Sequence, residues 1–169
     1  LSSICNLKCP MCYTITEEFK KKVTKGLMDF ELFKKIVDEI AGKVYAIRLS
    51  LRGEPLLHPN FIEAIKYAKS KGVKEVSFLT NSGKLDYKYI EAIIGAGADW
   101  ITISVDGTDE IYESIRKPLK FTDTLNKIKY IYDYKKKHAL IKPVVKVQGI
   151  WPAIKQNPTK YYNTIAPFV

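Results

Sequence analysis

The sequence predicts an α/β fold in which parallel strands are joined by helices. Two observations carry that expectation. Strand-like segments, alternating or β-branched, take turns with segments of helical apolar period along the chain. The strand-like segments also run into short polar or glycine-bearing turns, such as Arg52-Gly53-Glu54, Thr80-Asn81-Ser82-Gly83 and Asp106-Gly107. The chain has 169 residues and is 46% apolar, which is enough for one packed core. Alternation of this kind builds a parallel sheet with right-handed helical crossovers. Functional groups in such folds gather at the C-terminal ends of the strands.

Taken in order, Leu1–Ile4 are too few to make an element. The cysteine-bearing stretch 5–12 follows. Residues 14–26 are polar, with a lysine run at 20–22, and read as a loop. Asp29 then stands as an N-cap, and Leu32, Phe33, Ile36, Val37 and Ile40 recur at helical spacing, predicting a helix over 29–41 that Gly42 ends. Residues 44–51 alternate and predict a strand with Tyr45, Ile47, Leu49 and Leu51 on one side. A helix over 60–71 follows, with Phe61, Ile62, Ile65 and Ala68 apolar, then a strand over 75–80. A helix over 86–95 is broken by Gly95-Ala96-Gly97, and the run 100–105 is a buried-looking strand. A longer helix spans 122–137 with Leu125, Ile128 and Ile131 inward, and Pro143 precedes a strand over 144–148. Asn157-Pro158 opens a short helix carrying Tyr161, Tyr162 and Ile165, and Pro167-Phe168-Val169 reads as the start of a further strand.

Charge and hydropathy narrow the partners. Lys plus Arg is 28 against 18 for Asp plus Glu, a formal charge of +10. The lysines are spread along amphipathic helices, so a solvated surface is favoured over an RNA-binding face. No apolar run is long enough to span a membrane, and no signal peptide is visible.

The chemistry-bearing stretch is Cys5-Asn6-Leu7-Lys8-Cys9-Pro10-Met11-Cys12, which holds all 3 cysteines of the chain. Clustered thiols with no partners elsewhere suit a reducing cytoplasm and a soft metal centre. Three thiolates on a [4Fe–4S] cube leave one iron open to a small-molecule ligand. A small zinc knuckle and unrelated buried thiols are the alternatives. The only histidines, His58 and His138, are far away in sequence, which disfavours a zinc finger.

The Cys-x3-Cys-x2-Cys spacing of Cys5, Cys9 and Cys12 resembles the signature of the radical S-adenosylmethionine (radical SAM) superfamily. The resemblance covers essentially the whole of residues 1–169. It implies most of a partial (βα)6, TIM-like barrel, cut at both ends, forming the family's core domain. It also implies that the three cysteines carry the catalytic [4Fe–4S] cluster, and that the open iron chelates SAM for reductive cleavage to a 5′-deoxyadenosyl radical.

Further matches follow in family order. Gly53 and Glu54 resemble the segment that contacts the SAM ammonium, with Arg52 standing where the first glycine of that segment usually stands. Thr80 and Asn81 resemble a Thr-Asn-Gly segment near SAM, with Ser82 inserted. Ser104 and Asp106 match a Ser-x-Asp-Gly strand end near the ribose or methionine part. Taken singly, each is as well read as an ordinary polar turn. Arg116 resembles the family's carboxylate-binding arginine; Arg48 and Arg52 are the only others in a lysine-rich chain. Gln148 is expected to reach the active-site mouth. Ile150-Trp151-Pro152 resembles the segment along the adenine, although Trp151 also suits a core aromatic. Met11 stands where many relatives carry an aromatic and can pack on adenine.

The resemblance implies a reductant such as flavodoxin or ferredoxin, and a peptide or small-molecule substrate. The wording of the cysteine stretch is similar to members that carry a SPASM-type extension. A non-catalytic Fe–S or zinc-bearing scaffold that binds RNA is the competing function.

Overall fold

A computed structural model describes residues 1–169. Four parallel strands form one sheet in sequential order: β1 (Ala46–Arg48), β2 (Glu75–Thr80), β3 (Trp100–Ser104) and β4 (Val144–Gln148). The register runs Arg48 to Ser77, Ser77 to Trp100 and Trp100 to Val144, one row of residues on the same face. Helices occupy every crossover, as parallel pairing requires. They are α3 (Phe61–Ser70) between β1 and β2, α4 (Tyr87–Gly95) between β2 and β3, and α5 (Asp109–Ile115) with α6 (Phe121–Lys137) between β3 and β4. Before the sheet come α1 (Glu17–Lys22) and α2 (Phe30–Ile40); after it come α7 (Trp151–Ile154) and α8 (Pro158–Ile165).

The core lies between the sheet and its helices. Val76, Phe78, Ile101 and Ile103 point to this side and are fully buried against Phe61, Ile65, Ile90, Ile93, Ile128 and Ile131. Phe61 meets Phe78 edge-on at a ring separation of 4.9 Å. Each such side chain contributes about 1.5–3 kcal/mol by leaving water. The helices begin where the residue types dictate. Asp29 accepts from Leu32 N at 2.8 Å, Asp86 from Tyr89 N at 2.7 Å and Asn157 from Lys160 N at 3.0 Å.

Asp99, buried at the start of β3, ties the lower end of the sheet together. Its carboxylate accepts from Val76 N and Lys69 Nζ, each at 2.8 Å, and from Lys142 Nζ. Burial pushes this carboxyl up, but the hydrogen bonds from Lys142, Lys69 and Val76 N outweigh burial and hold it below its ordinary value.

Three expectations are corrected. The lysine run at 20–22 belongs to α1, capped by Thr16, which accepts from Phe19 N at 3.2 Å. Glu17 and Glu18 at its start and lysines at its end complement the helix dipole. No residue of α1 is buried, so it left no apolar period in the sequence. The terminal Ala166–Phe168 segment is a 3₁₀ turn and opens no strand; Phe168 packs edge-on against Tyr132 of α6 instead. The strand expected over 44–51 is regular only over Ala46–Arg48, with single backbone bonds from Glu75 N to Tyr45 O and Leu49 N to Ser77 O extending it. It has only one sheet neighbour, so nothing enforces regularity at its ends.

Candidate active site

The loops at the C-terminal ends of the strands converge on one cavity of about 260 Å³. It is lined by Cys5, Cys9, Met11 and Cys12 from the N-terminal loop, and by Gly53 and Glu54 after β1. Asn81 after β2, Ser104 at the end of β3, Arg116 after α5 and Ile150 after β4 also line it.

The N-terminal loop is seated by backbone contacts. Ser2 bridges antiparallel to Leu27, and Ser3 N donates to Gly26 O at 3.0 Å. On the other side Glu54 N donates to Ile4 O at 2.7 Å. Gly53 has φ +70°, and a Cβ there would sit 2.4 Å from Ile4 O. Only glycine permits both that conformation and that approach.

Glu54 is 1% exposed. Its Oε1 accepts from Leu56 N at 3.2 Å and Thr80 Oγ1 at 2.7 Å, and its Oε2 accepts from Asn81 N at 2.7 Å. A carboxylate offers about four acceptor sites, so one remains free, and Glu54 lines the cavity. Burial raises the Glu54 pKa, and the three hydrogen bonds with the Arg116 charge only partly offset that. A cation in the cavity would favour the ionised form.

Arg116 is held from behind. Its Nε and Nη2 reach Asp106 Oδ2 at 2.7 and 2.6 Å, and Asp106 Oδ1 accepts from Ile150 N at 2.9 Å. Asp106 therefore acts through Arg116 and does not line the cavity. The guanidinium keeps donors beyond those two. Thr80 likewise sits behind Glu54. Ser104 lines the cavity directly. Gln148 and Trp151 are exposed outside it, Trp151 at the start of α7.

Asn81 Nδ2 lies 3.5 Å from Cys5 Sγ and 2.9 Å from Asn6 Oδ1. Thr14 Oγ1 lies 3.0 Å from Cys12 Sγ. All three cysteines are free thiols. Burial pushes the Cys5 and Cys9 thiols up, and the Arg116 charge works against that at Cys9.

No three His, Cys, Asp or Glu side chains close on one point that would hold a single ion. A tetrahedral zinc, with bonds of about 2.3 Å, needs sulfurs within roughly 4 Å of each other. A cube that takes one thiolate on each of three irons spreads its sulfurs more widely. Three soft donors around one cavity, with no fourth cysteine, fit such a cluster. Sequence reasoning missed Asn6 and Thr14, whose parts depend on contacts that no local motif announces; Ile150, expected along the adenine, does line the cavity.

Residues 1–147 match the family model described as the radical SAM superfamily. The chain is 29% identical over 180 aligned positions to a probable GTP 3′,8-cyclase of Methanococcus maripaludis, covering 90% of this chain and 59% of that protein. It thus spans little more than half of that relative's length. Among solved structures, anSMEcpe with bound AdoMet is similar at a TM-score of 0.64 and 20% identity, covering 99% of this chain and 45% of that one. SuiB of Streptococcus suis, bound to the precursor peptide SuiA, is similar at 0.72 and 12% identity, covering 96% of this chain and 35% of that one. These likenesses place the four-stranded sheet in the family's barrel fold.

Proposed function

Because this chain belongs to the radical SAM superfamily, we propose that it is the part of a radical SAM enzyme that holds a [4Fe–4S] cluster and SAM. The observation that carries the reading is one cavity lined by Cys5, Cys9, Cys12, Glu54 and Arg116. When bound, the cluster supplies the single electron that splits SAM into methionine and a 5′-deoxyadenosyl radical for hydrogen abstraction.

The chain's own residues bind and orient. Cys5, Cys9 and Cys12 hold the metal group as thiolates. Glu54 accepts a hydrogen bond from the SAM ammonium at its one open lone pair. Arg116 turns its remaining donors to the SAM carboxylate, with Asp106 fixing the plane of the fork. Thr80 keeps Glu54 in place. Met11 and Ile150 give the apolar wall that excludes water, and Ser104 offers a hydroxyl to the ribose or methionine part. Gly53 keeps the cysteine loop close to Glu54. A flavodoxin or ferredoxin would deliver the electron from the exposed Cys5 side in a reducing cytoplasm. No helix is long and apolar enough to cross a membrane.

The substrate we infer is a small anionic molecule. Arg48, Lys146 and Gln148 share the sheet face that carries Leu79 and Ser104 into the cavity. Arg48 and Lys146 take no part in any of the chain's ion pairs. The GTP-cyclising relative supports a small substrate. The deciding experiment is anaerobic reconstitution with iron and sulfide, then incubation with SAM and dithionite. 5′-Deoxyadenosine and methionine are expected, and Cys5→Ala, Cys9→Ala and Cys12→Ala should each abolish both. A cluster that forms but leaves SAM intact, or a bound zinc in its place, would instead support the scaffold reading.

A further inference from the structure

Two side chains from outside the cysteine motif approach the sulfurs, and the proposed function gives neither contact a part. The Asn81 amide reaches Cys5 Sγ at 3.5 Å, and the Thr14 hydroxyl reaches Cys12 Sγ at 3.0 Å. Both residues are buried, at 3% and 6% exposure.

Each is held in place from its far side. Gly83 N donates to Asn81 Oδ1 at 2.8 Å. A backbone N–H can only donate, so that oxygen must face Gly83 and the NH₂ group must face the loop. One of its hydrogens goes to Asn6 Oδ1 at 2.9 Å, which leaves the other for the sulfur. Gly83 itself leaves no slack, since a Cβ there would meet Asn6 Nδ2 at 2.7 Å and Asn81 Oδ1 at 3.0 Å. At the other sulfur, Lys25 Nζ donates to the Thr14 carbonyl at 2.8 Å and pins that turn. Once Cys12 is a thiolate it can only accept, so the Thr14 hydroxyl must be the donor.

We propose that Asn81 and Thr14 donate hydrogen bonds to the Cys5 and Cys12 sulfurs and thereby raise the reduction potential of the cluster these cysteines hold. This rests on the cluster reading above. The physics is direct. Reduction adds one electron, and part of that negative charge falls on the sulfurs. A donor dipole aimed at a sulfur stabilises the reduced form more than the oxidised one. The donors Asn81 and Thr14 are themselves buried, so their dipoles act at a lower effective dielectric than in bulk water even though Cys5 is exposed. Cys9 has no side-chain donor of this kind, so the three thiolates are not equivalent. These are tuning contacts, and the electron comes from the external reductant.

The test is a mediated redox titration of the reconstituted protein, followed by the electron paramagnetic resonance signal of the reduced cluster, without SAM. Thr14→Val keeps shape and removes only the hydroxyl; Asn81→Leu removes the amide. Each is expected to retain iron and sulfide while its midpoint moves to more negative potential. The one-electron equilibrium at fixed poise should shift roughly three- to tenfold, a tenfold change being about 59 mV. Thr14→Ser restores a hydroxyl and should return the midpoint toward the wild-type value.

Variants that keep a full cluster and titrate with wild-type midpoints would overturn the proposal and leave the cluster reading intact. If Asn81→Leu loses the cluster, the Thr14→Val and Thr14→Ser pair decides. Wild-type protein that assembles no [4Fe–4S] cluster would overturn both.

Discussion

Glu54 is the residue at which burial, hydrogen bonding and the proposed contact to SAM meet. Glutamine in its place has the same shape but only one acceptor oxygen. At least one of the donors Leu56 N, Thr80 Oγ1 and Asn81 N would then face an NH₂ group and lose its partner. A buried donor left unpaired costs about 1–3 kcal/mol. Glu54→Gln is therefore expected to lower the stability of the metal-free protein by that amount in anaerobic urea unfolding. In the cluster-loaded protein it should weaken SAM binding by about tenfold or more, as a lost charge-assisted hydrogen bond implies. A variant that binds SAM as the wild type does would remove Glu54 from the site. At this scale the candidates were legible where a residue type recurs at a fixed spacing, and the structure brings Cys5, Cys9, Cys12 and Glu54 to one cavity. Asn6 and Thr14 were not readable. An Asn or Thr in a loop has many ordinary uses, and only the fold brings these two to Asn81 and to a sulfur. Asp106 was expected near the ribose or methionine part of SAM, but in the structure it holds Arg116 and lies outside the cavity wall.

At the scale of the element, the seam between the cysteine loop and the turn after β1 depends on Gly53. Alanine there must adopt a left-handed conformation, at about 1–2 kcal/mol, and must also push Ile4 aside. Gly53→Ala should therefore lose about 2–4 kcal/mol of stability and take up less iron. Gly26→Ala is the control. That glycine lies in the adjacent strand-like segment, and an added Cβ would meet nothing within 4 Å, so little change is expected. Equal losses in the two variants would refute the role assigned to Gly53. The helices were legible in proportion to what they bury. α3 buries Phe61, Ala64, Ile65 and Ala68 and announced itself by period. α1 buries nothing and was invisible, although its caps and charges were present in the sequence. The Pro167-Phe168-Val169 ending misled because an apolar run too short to show a period fits a strand or a packed turn equally well.

At the scale of the whole molecule, parallel alternation and the placement of the site at one end of the sheet were legible, because topology leaves few other arrangements. The opposite end was not, since Asp99 in sequence is one acidic residue among many. Its carboxyl is held below the ordinary value of 3.8 in the folded protein. The unfolded chain therefore binds the proton more readily, and stability rises with pH through this window. The contribution is fully present above about pH 4 and is lost as pH falls through the lower, folded value. Asp99→Asn is expected to cost about 1–3 kcal/mol at neutral pH and to flatten the acid limb of the stability profile. Acid unfolding monitored by circular dichroism would show both effects, and a variant with an unchanged limb would assign the acid sensitivity elsewhere.

The Asp99 clamp has a wider consequence, because it lies across the sheet from the thiols. Heat-sensitive mutants isolated at Lys69, Asp99 or Lys142 should still perform normal turnover when cooled. Inherited changes along that lower rim would be filtered by whether the chain stays folded, and changes along the opposite rim by whether the proposed site still works.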